Sequence, residues 1–444
     1  MTTQIFQAST LYGTATLAAA LDSGCFRPAD RRILLVCNTT ATPETTPGLD
    51  EAPGFEQLRE RFDEVLSYNE TIFPFHPGGW APRPDDLPLW ERFLRLEWEL
   101  GDDDVELAVE SIQVNPALGL AQIFTGAPVT VYADGLMSYG PTRNKIDPLV
   151  GTRVDRLLHL DLVPGLTPLL LTEFGVPPEI VPTAAFTKVL AHLTSIADEL
   201  PEIEEPALLL GQYLSALEIL TPEQEEDLHV RMLRGAVALG HTRVVFKPHP
   251  SAPARFARTL EQEAEKLGAD LTVLDTPVLA EVLYQRMRPA LVVGCFSTAL
   301  LTASALYGLP VARVGTGTLL EHLTPYENSN RVPVTVVDAL LPELTDRAAV
   351  TAQRPGMAVE ALGALVRAVG YAMQPKILPA LREETERYLA GHLRDGTLRY
   401  FKRRRLTSLA LPGGVPAQLA FIPRNATVRR VARTARSLRR GVRP

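Results

Sequence analysis

A lysine and a histidine follow a predicted buried strand in the second half of the chain. The apolar residues 244–246 lead directly into Lys247-Pro248-His249-Pro250. Proline restricts the backbone on both sides of His249, and in open α/β sheets ligands bind beyond the carboxyl ends of the strands. A lysine and a protonated imidazole there suit a phosphate, and the histidine can donate a proton to a departing phosphate oxygen. A second pair, His76-Pro77, follows no apolar strand and is interpreted as part of a loop.

A second anion-binding segment is predicted further along the chain. The apolar strand 291–293 is followed by Gly294, and then by Ser297 and Thr298, where a helix is predicted to begin. Unpaired N–H groups and the dipole at a helix start favour an anion, although Ser297 taken alone reads as a plain N-cap. Because this strand and that of His249 end at the same edge of one predicted sheet, we expect a single phosphate site. The residues predicted to bind the phosphate-bearing nucleotide ligand at this edge are Gly211, Gln212, Lys247, Pro250, Gly294, Ser297 and Thr298.

A carboxylate in the first half of the chain stands at another predicted strand end. Residues 128–132 are followed by Ala133, Asp134 and Gly135. If two lobes face each other, Asp134 looks across the cleft at His249, an arrangement for group transfer in which a general base activates an acceptor hydroxyl. Standing alone, Asp134-Gly135 would be an ordinary turn. The residues predicted on the acceptor side are Ser9, Thr10, Asn38 and Gly135.

Two further motifs are interpreted without a role in the chemistry. The triplet Asp102–Asp104 resembles an acidic metal-binding run, but we place it in a solvated turn with no flanking strand. The segment Arg313–Leu320 has two glycines at dinucleotide-binding spacing, but Leu320 stands where the third glycine belongs. No metal site is therefore predicted.

The length and the alternation of strands and helices predict two α/β domains. A chain of 444 residues is too long for one ordinary core and suits two. In the second half, apolar strands and helices alternate with short loops, as in a doubly wound parallel sheet. In the first half a βαβ unit opens the chain, and a helix is predicted over 55–66. We predict a first domain, on the side of the acceptor hydroxyl, over 1–203, a second domain, which carries the phosphate site, over 204–345, closing helices over 346–395 and a basic tail over 396–444.

The charge is distributed unevenly along the chain. Thirteen of the 44 Lys and Arg residues, and no acid, lie in the last 49 positions, so residues 1–395 carry 31 bases and all 52 acids, a net −21. Residues 428–438 place apolar side chains at helical spacing between arginines, which suits either a membrane-surface helix or a frayed terminus. No aromatic residues interleave the arginines beyond Asn425, so nucleic-acid binding is not predicted.

The compartment is predicted from what the sequence does not contain. Its three cysteines have neither metal-ligand nor disulfide-scaffold spacing, which indicates a reducing environment. Neither a signal peptide nor an apolar run long enough for a membrane span is recognised. We therefore expect a cytoplasmic protein, peripheral on the inner face of the cell membrane if the tail binds there.

The ordered set of motifs resembles the bacterial polysialyltransferase family. The resemblance rests on the acidic residue and glycine at 134–135, the His-Pro pair at 249–250, the hydroxyl pair at 297–298 and the opening run Ala8–Gly13, over roughly residues 4–340. It implies a GT-B fold, with two Rossmann-like domains facing each other across a cleft. It also implies an inverting, metal-independent transfer of sialic acid from a CMP-activated donor to a surface glycan, with no cofactor.

The resemblance also implies roles for individual residues, with one departure. Asp134 falls where the general base lies, His249 where an imidazole contacts the CMP phosphate as the acid, and Ser297 and Thr298 where hydroxyls bind that phosphate. The family usually has two acids before the glycine, whereas Ala133 occupies the first position here. Either Asp134 serves alone, or another carboxylate such as Glu44 takes the role, or activity is impaired. A CMP-Kdo, CMP-Kdn or CDP-glycerol type of transferase, and a catalytically impaired nucleotide-binding homologue, remain alternatives.

Overall fold

The computed structural model describes residues 1–194, 200–249, 252–354, 356–393 and 396–415. Within these ranges the chain forms a seven-stranded and a five-stranded sheet, and every strand pairing in both is parallel. The first sheet contains β1 (Thr2–Ala8), β2 (Arg31–Val36), β3 (Glu64–Ser67), β4 (Asp104–Glu110), β5 (Val129–Ala133), β6 (Val154–His159) and β7 (Pro178–Ile180). The second contains β8 (Ala207–Leu210), β9 (Arg243–Lys247), β10 (Asp270–Val273), β11 (Leu291–Gly294) and β12 (Val311–Arg313).

Helices connect the strands of each sheet. Those of the first domain are α1 (Leu11–Asp22), α2 (Phe55–Arg59), α3 (Tyr68–Ile72), α4 (Leu87–Glu97), α5 (Ala117–Ile123), α6 (Pro148–Gly151) and α7 (Thr183–Thr194). The second domain and the segment after it contain α8 (Pro222–Ala238), α9 (Arg255–Leu267), α10 (Ala280–Met287), α11 (Thr298–Tyr307), α12 (Thr316–His322), α13 (Arg331–Leu340), α14 (Arg347–Thr351), α15 (Val359–Met373), α16 (Arg382–His392) and α17 (Arg403–Ser408). The two Rossmann-like domains predicted from the alternation are confirmed.

Both sheets reverse their direction of winding beside their first strand. The first has the order β3-β2-β1-β4-β5-β6-β7 and the second β10-β9-β8-β11-β12. In such sheets the chain connections diverge between the two central strands, and the carboxyl edge there is a crevice where ligands bind. The crevices lie after β1 and β4 in the first domain and after β8 and β11 in the second.

Local sequence explains the central elements. All five residues of β5 are buried, as expected of a parallel strand covered on both faces. Helix α1 begins because the Thr10 side chain accepts a hydrogen bond from the N–H of Gly13. Helix α8 begins at a reciprocal cap between Thr221 and Gln224, with Pro222 in the first turn.

Two expectations for the first domain are wrong. The helix predicted over 55–66 ends at Arg59, and Glu64–Ser67 forms β3, which pairs with β2 and is tied to it by the Arg31–Glu64 ion pair (2.5 Å). The acidic triplet does have a flanking strand, because Asp104 begins β4. In both cases pairing with a distant strand overrides the local pattern.

The domains share an apolar core that holds their carboxyl edges towards each other. One cluster of buried side chains runs through both domains, and a second fills the other face of the first sheet. Helix α7 packs on both α1 and α10, and α15 packs against α13. Gln374, just after α15, donates a hydrogen bond to the Arg143 carbonyl of the first domain (2.7 Å). The C-terminal helices therefore bridge the two domains.

The first part of the predicted basic tail is packed against the body of the protein. Arg399 pairs with the buried Asp338 (2.6 Å), which also accepts a hydrogen bond from Tyr400 (2.8 Å). Arg405 pairs with Glu327 (2.5 Å). The prediction of a tail from 396 onwards is therefore wrong for residues 396–415, and residues 428–438 lie outside the described ranges. None of the helices described is long and apolar enough to cross a membrane.

Candidate active site

The predicted carboxylate and the predicted anion-binding helix start line one cavity between the domains. This cavity, of about 210 Å³, is bordered by Asp134 and Gly135 after β5 and by Ser297 and Thr298 at the start of α11. The N–H of Leu136 donates a long hydrogen bond to Thr298 Oγ1 (3.4 Å). A Cβ added at Gly135 would lie 3.1 Å from the same oxygen, so glycine permits this close approach. The structure thus brings Asp134 and the α11 start together.

Asp134 is ionised with difficulty for two reasons. Burial, first, and the neighbouring carboxylate of Glu110, second, raise the pKa of Asp134 to about 7. A carboxylate with a pKa near neutrality can accept a proton from a hydroxyl more readily than an ordinary aspartate. Asp134 therefore has the properties of a general base.

Glu110 is the carboxylate that the sequence analysis did not find. It ends β4, and its Oε2 accepts hydrogen bonds from the Ser9 hydroxyl (2.5 Å) and the Ser9 N–H (3.2 Å) at the end of β1. Burial raises the pKa of Glu110, while the bonds from Ser9 oppose the shift. Glu110 and Asp134 line a second cavity of about 410 Å³ at the crevice of the first sheet. The only signal for Glu110 in the sequence is a polar residue at the end of an alternating segment, and the sequence analysis does not predict β4 itself.

The hydroxyls at the start of α11 are partly committed to the protein. Ser297 Oγ accepts a hydrogen bond from the N–H of Ala299 (3.2 Å), so Ser297 is the N-cap of α11. Gly294 ends β11 and packs close to Leu300, where an added Cβ would lie 3.3 Å from its side chain. The start of α11 lines the shared cavity, and the N–H groups and dipole of a helix start favour an anion.

A tyrosine and a buried glutamate complete the wall of the shared cavity. Glu281, in the first turn of α10, accepts a hydrogen bond from Thr302 (2.7 Å), and burial raises its pKa. Tyr12 comes from α1 of the first domain, and its hydroxyl is buried without a hydrogen-bond partner among the described residues. An unsatisfied buried donor costs stability, so the Tyr12 hydroxyl is available to a ligand oxygen.

His249 lies on the same edge of the second sheet as Ser297 but does not line the shared cavity. Strand β9, which leads into it, is separated from β11 by β8. The His249 ring is 6.4 Å from that of Tyr213. Although His249 is largely exposed, nearby protein desolvates the ring enough to lower its pKa, and Lys247 lowers it further. Pro250 lies outside the described residues.

The segment that follows β8 is held in place by a buried glutamate. Since β8 lies between β9 and β11 in the sheet, this segment lies between the strand ends that carry His249 and Ser297. Glu225 of α8 accepts hydrogen bonds from the N–H groups of Leu214 (2.6 Å) and Ser215 (2.9 Å). Gln212 accepts one from the N–H of Phe296 (2.9 Å), which joins the ends of β8 and β11 at the crevice. Gly211 permits a close approach, because a Cβ there would lie 3.0 Å from the Phe246 ring and 3.1 Å from the Pro248 backbone. These contacts position the predicted donor-binding edge.

The predicted acceptor-side residues have mostly structural bonds. Thr10 caps α1, and Ser9 holds Glu110. Asn38 donates to the Thr46 carbonyl (2.9 Å) and accepts from Thr40, which shapes the loop after β2. Glu44, the alternative base, lines a different groove from Asp134. No group of three or more His, Cys, Asp or Glu suited to a metal occurs among the described residues.

The fold and the facing groups define a class of protein. Two Rossmann-like domains that place Asp134 and the start of α11 on either side of a cleft form the GT-B architecture of glycosyltransferases. The model of the alpha-2,8-polysialyltransferase family matches residues 4–316. The chain therefore belongs to that family.

Solved structures of similar architecture are distant in sequence. The GT-B domain of a sialyltransferase from Photobacterium damselae is 12% identical, with a TM-score of 0.40 over 76% of this chain and 96% of that one. A 2,6-sialyltransferase from Photobacterium sp. JT-ISH-224, solved with CMP and lactose, is 12% identical, with a TM-score of 0.42 over 76% and 75%. A UDP-GlcNAc 2-epimerase from Methanocaldococcus jannaschii is 12% identical, with a TM-score of 0.45 over 84% and 100%. No curated protein sequence matches the chain.

Proposed function

We propose that this protein transfers sialic acid, or a related nonulosonic acid, from a CMP-activated donor to a hydroxyl of a glycan, with inversion and without a metal. The observation that carries the proposal is the shared cavity, in which Asp134 of one domain faces Ser297 and Thr298 of the other. Membership of the family supports sialic acid as the transferred sugar.

In the proposed reaction Asp134 removes the proton of the acceptor hydroxyl. The acceptor oxygen then bonds to the anomeric carbon of the donor sugar, on the face opposite the phosphate. The bond from that carbon to the phosphate oxygen breaks, and its electron pair leaves with CMP. His249 gives its proton to the CMP phosphate, and Lys247 and the N–H groups of α11 stabilise the remaining charge. Because a nucleoside monophosphate leaves with protein-supplied neutralisation, we propose that no metal is needed.

The test is CMP release from CMP-sialic acid by the wild type and by His249→Ala. We expect the variant to lose at least about 100-fold in rate, since the proton donor to the leaving group is gone. His241→Ala is the matched control, because His241 is a half-buried histidine just before the amino-terminal end of the same strand. Wild-type rates in His249→Ala would refute the proposal.

A panel of donors separates the remaining candidates. CMP-Kdo, CMP-Kdn and CDP-glycerol test the related transferases, with nucleotide release as the readout. A nucleotide-binding homologue without activity is favoured by one observation, Ala133 in place of the family's first acid. Tight CMP binding by calorimetry with no donor turned over would support that alternative.

We also propose that the arginine-rich C-terminus holds the enzyme at an anionic membrane, on the cytoplasmic face. The support is the charge pattern of the segment from Arg424 onwards, which contains eight arginines and no acid.

A further inference from the structure

A groove on the first domain lies beside the cavity that contains Asp134 and Glu110. The groove has a volume of about 720 Å³ and lies at the carboxyl ends of β2 and β3. Thr39 and Gly78 line the cavity, and the adjacent Asn38 and His76 line the groove. His76 Nε2 is 2.8 Å from the Thr40 carbonyl, which ties together the two segments at the junction. The groove is therefore a neighbouring surface into which an acceptor with its terminal hydroxyl at Asp134 could extend.

The groove carries exposed aromatic rings. Phe73 is 79% exposed and Phe75 is 49% exposed. Phe75 stacks on Trp80 with ring centroids 5.9 Å apart, and Trp80 in turn packs edge-on against Trp90. The Phe75 ring is thus supported on one side by Trp80, and both phenylalanine rings remain exposed. Such a surface suits the C–H face of a pyranose, whose partly positive hydrogens are attracted to the negative face of an aromatic ring.

The charged groups of the groove are acidic. Four carboxylates line it, those of Glu44, Asp50, Glu51 and Glu70, and all four side chains are exposed. The groove is lined entirely by residues within the described range 1–194, and none of them is a lysine or an arginine. Carboxylates accept hydrogen bonds from sugar hydroxyls but repel an anion. Arg143 is the one Lys or Arg that lines the cavity beside Asp134. It can pair with the carboxylate of the transferred sugar but not with a long anionic chain.

We propose that the acceptor bound in this groove is an uncharged oligosaccharide rather than a chain of sialic acids. The aromatic rings stack on its sugars, the four carboxylates receive its hydroxyls, and the same carboxylates exclude a polymer that carries a negative charge on every unit. This inference rests on the proposed function for the position of the terminal hydroxyl, but the preference for a neutral glycan is a property of the groove itself.

Calorimetry on the full chain with two probes tests the inference at low ionic strength. The probes are lacto-N-neotetraose, which is uncharged, and α2,8-linked tetrasialic acid. We expect the wild type to bind the uncharged probe, and the variant Phe73→Ala/Phe75→Ala to bind it at least about tenfold more weakly. Leu149→Ala is the matched control, since Leu149 is equally exposed (78%) on a different surface, and it should bind as the wild type does.

Charge reversal provides a second variant that does not depend on removing an aromatic ring. In Glu44→Lys/Glu70→Lys, binding of tetrasialic acid should rise at least about tenfold. Asp102→Lys is its control, because Asp102 is an exposed acid at the opposite edge of the same sheet and should give no gain. Tighter wild-type binding of tetrasialic acid than of the uncharged probe, or no binding of either, would overturn the inference.

The same preparation separates this inference from the proposed function. Release of CMP by hydrolysis of CMP-sialic acid, in which water takes the place of the acceptor hydroxyl, reports on the donor reaction and needs no occupied groove, whereas calorimetry with the two glycans needs no donor. Absence of CMP release together with uncharged-glycan binding would overturn only the proposed function. CMP release together with a preference for tetrasialic acid would overturn only the groove assignment.

Discussion

The hydroxyl of Ser9 lies 2.5 Å from Glu110 Oε2, and this bond joins the ends of β1 and β4 at the crevice of the first sheet. The backbone of Glu110 is fixed as well, because its N–H donates a hydrogen bond to the Gln7 side chain (3.0 Å). Glu110 is thereby held beside Asp134, at the position in the fold where ligands of doubly wound sheets bind. Ala133 occupies the position where the family usually has its first acid, and the carboxylate of Glu110 lies nearby on the adjacent strand β4.

This arrangement predicts different effects for the two carboxylates. If Asp134 is the base and Glu110 adjusts its pKa, Asp134→Asn should lower the rate of transfer about 100- to 10,000-fold. Glu110→Gln should keep a large part of the activity. Because activity would require the ionised base, the rate of the wild type should rise through pH about 7. Removing the negative charge of Glu110 lowers the pKa of Asp134, so the acidic limb of the pH–rate profile should move to lower pH.

The control for this experiment is Glu106→Gln. Glu106 lies on the same strand and accepts a hydrogen bond from Gln4 (2.9 Å), but it does not line the cavity. Its pH–rate profile should match that of the wild type. An inactive Glu110→Gln beside an active Asp134→Asn would reverse the assignment and make Glu110 the base.

The second domain could be predicted from sequence more fully than the first. Its strands are short apolar runs separated by helices of ordinary length, so the local pattern is sufficient, and β9 and β11 contain the runs 244–246 and 291–293 that the sequence predicts as strands. The same reasoning places Asp134 and Ser297 beyond strand ends on facing domains, and both residues line the shared cavity.

Strand β4 and Glu110 could not be found because their burial depends on distant residues. Glu106 and Glu110 interrupt the apolar pattern, and their partners Gln4 and Ser9 are about a hundred positions away in sequence. A carboxylate can be buried only where such partners exist, and a local window does not contain them. The offset between His249 and the shared cavity was also invisible, since sequence gives the edge of a sheet but not its curvature.

The cap and the anion site at Ser297 can be separated by a second substitution. Ser297→Ala removes the cap of α11 and should cost about 1 kcal/mol of unfolding free energy. Ser297→Asp keeps a good N-cap, so its stability should remain close to that of the wild type, but it places a negative charge where the CMP phosphate is proposed to bind. We therefore expect Ser297→Asp to bind CMP at least about tenfold more weakly, as measured by calorimetry.

Thr221 offers the matching comparison, because it caps α8 away from the cavity. Thr221→Ala should lose stability to a similar extent and leave CMP binding unchanged. CMP affinity in Ser297→Asp equal to that of the wild type would place the phosphate elsewhere.

His229 should make the stability of the protein depend on pH. Its ring packs against Phe246 (5.2 Å) and Phe256 (5.4 Å), and neither nitrogen has a hydrogen-bond partner among the described residues. Burial lowers its pKa to about 4. Between pH 6.5 and 4 the unfolded chain binds a proton that the folded chain does not, so stability falls as the pH falls, by up to about 3 kcal/mol.

Replacing His229 should remove this contribution. Denaturant unfolding of His229→Leu across that pH range should give a flatter dependence than the wild type, whereas His322→Leu, at an exposed site on α12, should not. An unchanged slope in His229→Leu would mean that the ring has a partner or is reached by water.

The C-terminal segment should separate into a structural part and a binding part. Asp338 is fully buried and is satisfied by Arg313 (3.1 Å), Thr316 (2.7 Å), Tyr400 and Arg399. Tyr400→Phe leaves this carboxylate one donor short and should lower the unfolding free energy by about 2 kcal/mol.

Deleting residues 424–444 removes eight arginines and none of these contacts. It should therefore leave stability and the turnover of a small soluble acceptor unchanged while lowering affinity for phosphatidylserine vesicles. Co-sedimentation with neutral phosphatidylcholine vesicles is the control. Equal vesicle binding by the deletion variant and the wild type would refute the membrane role of residues 424–444.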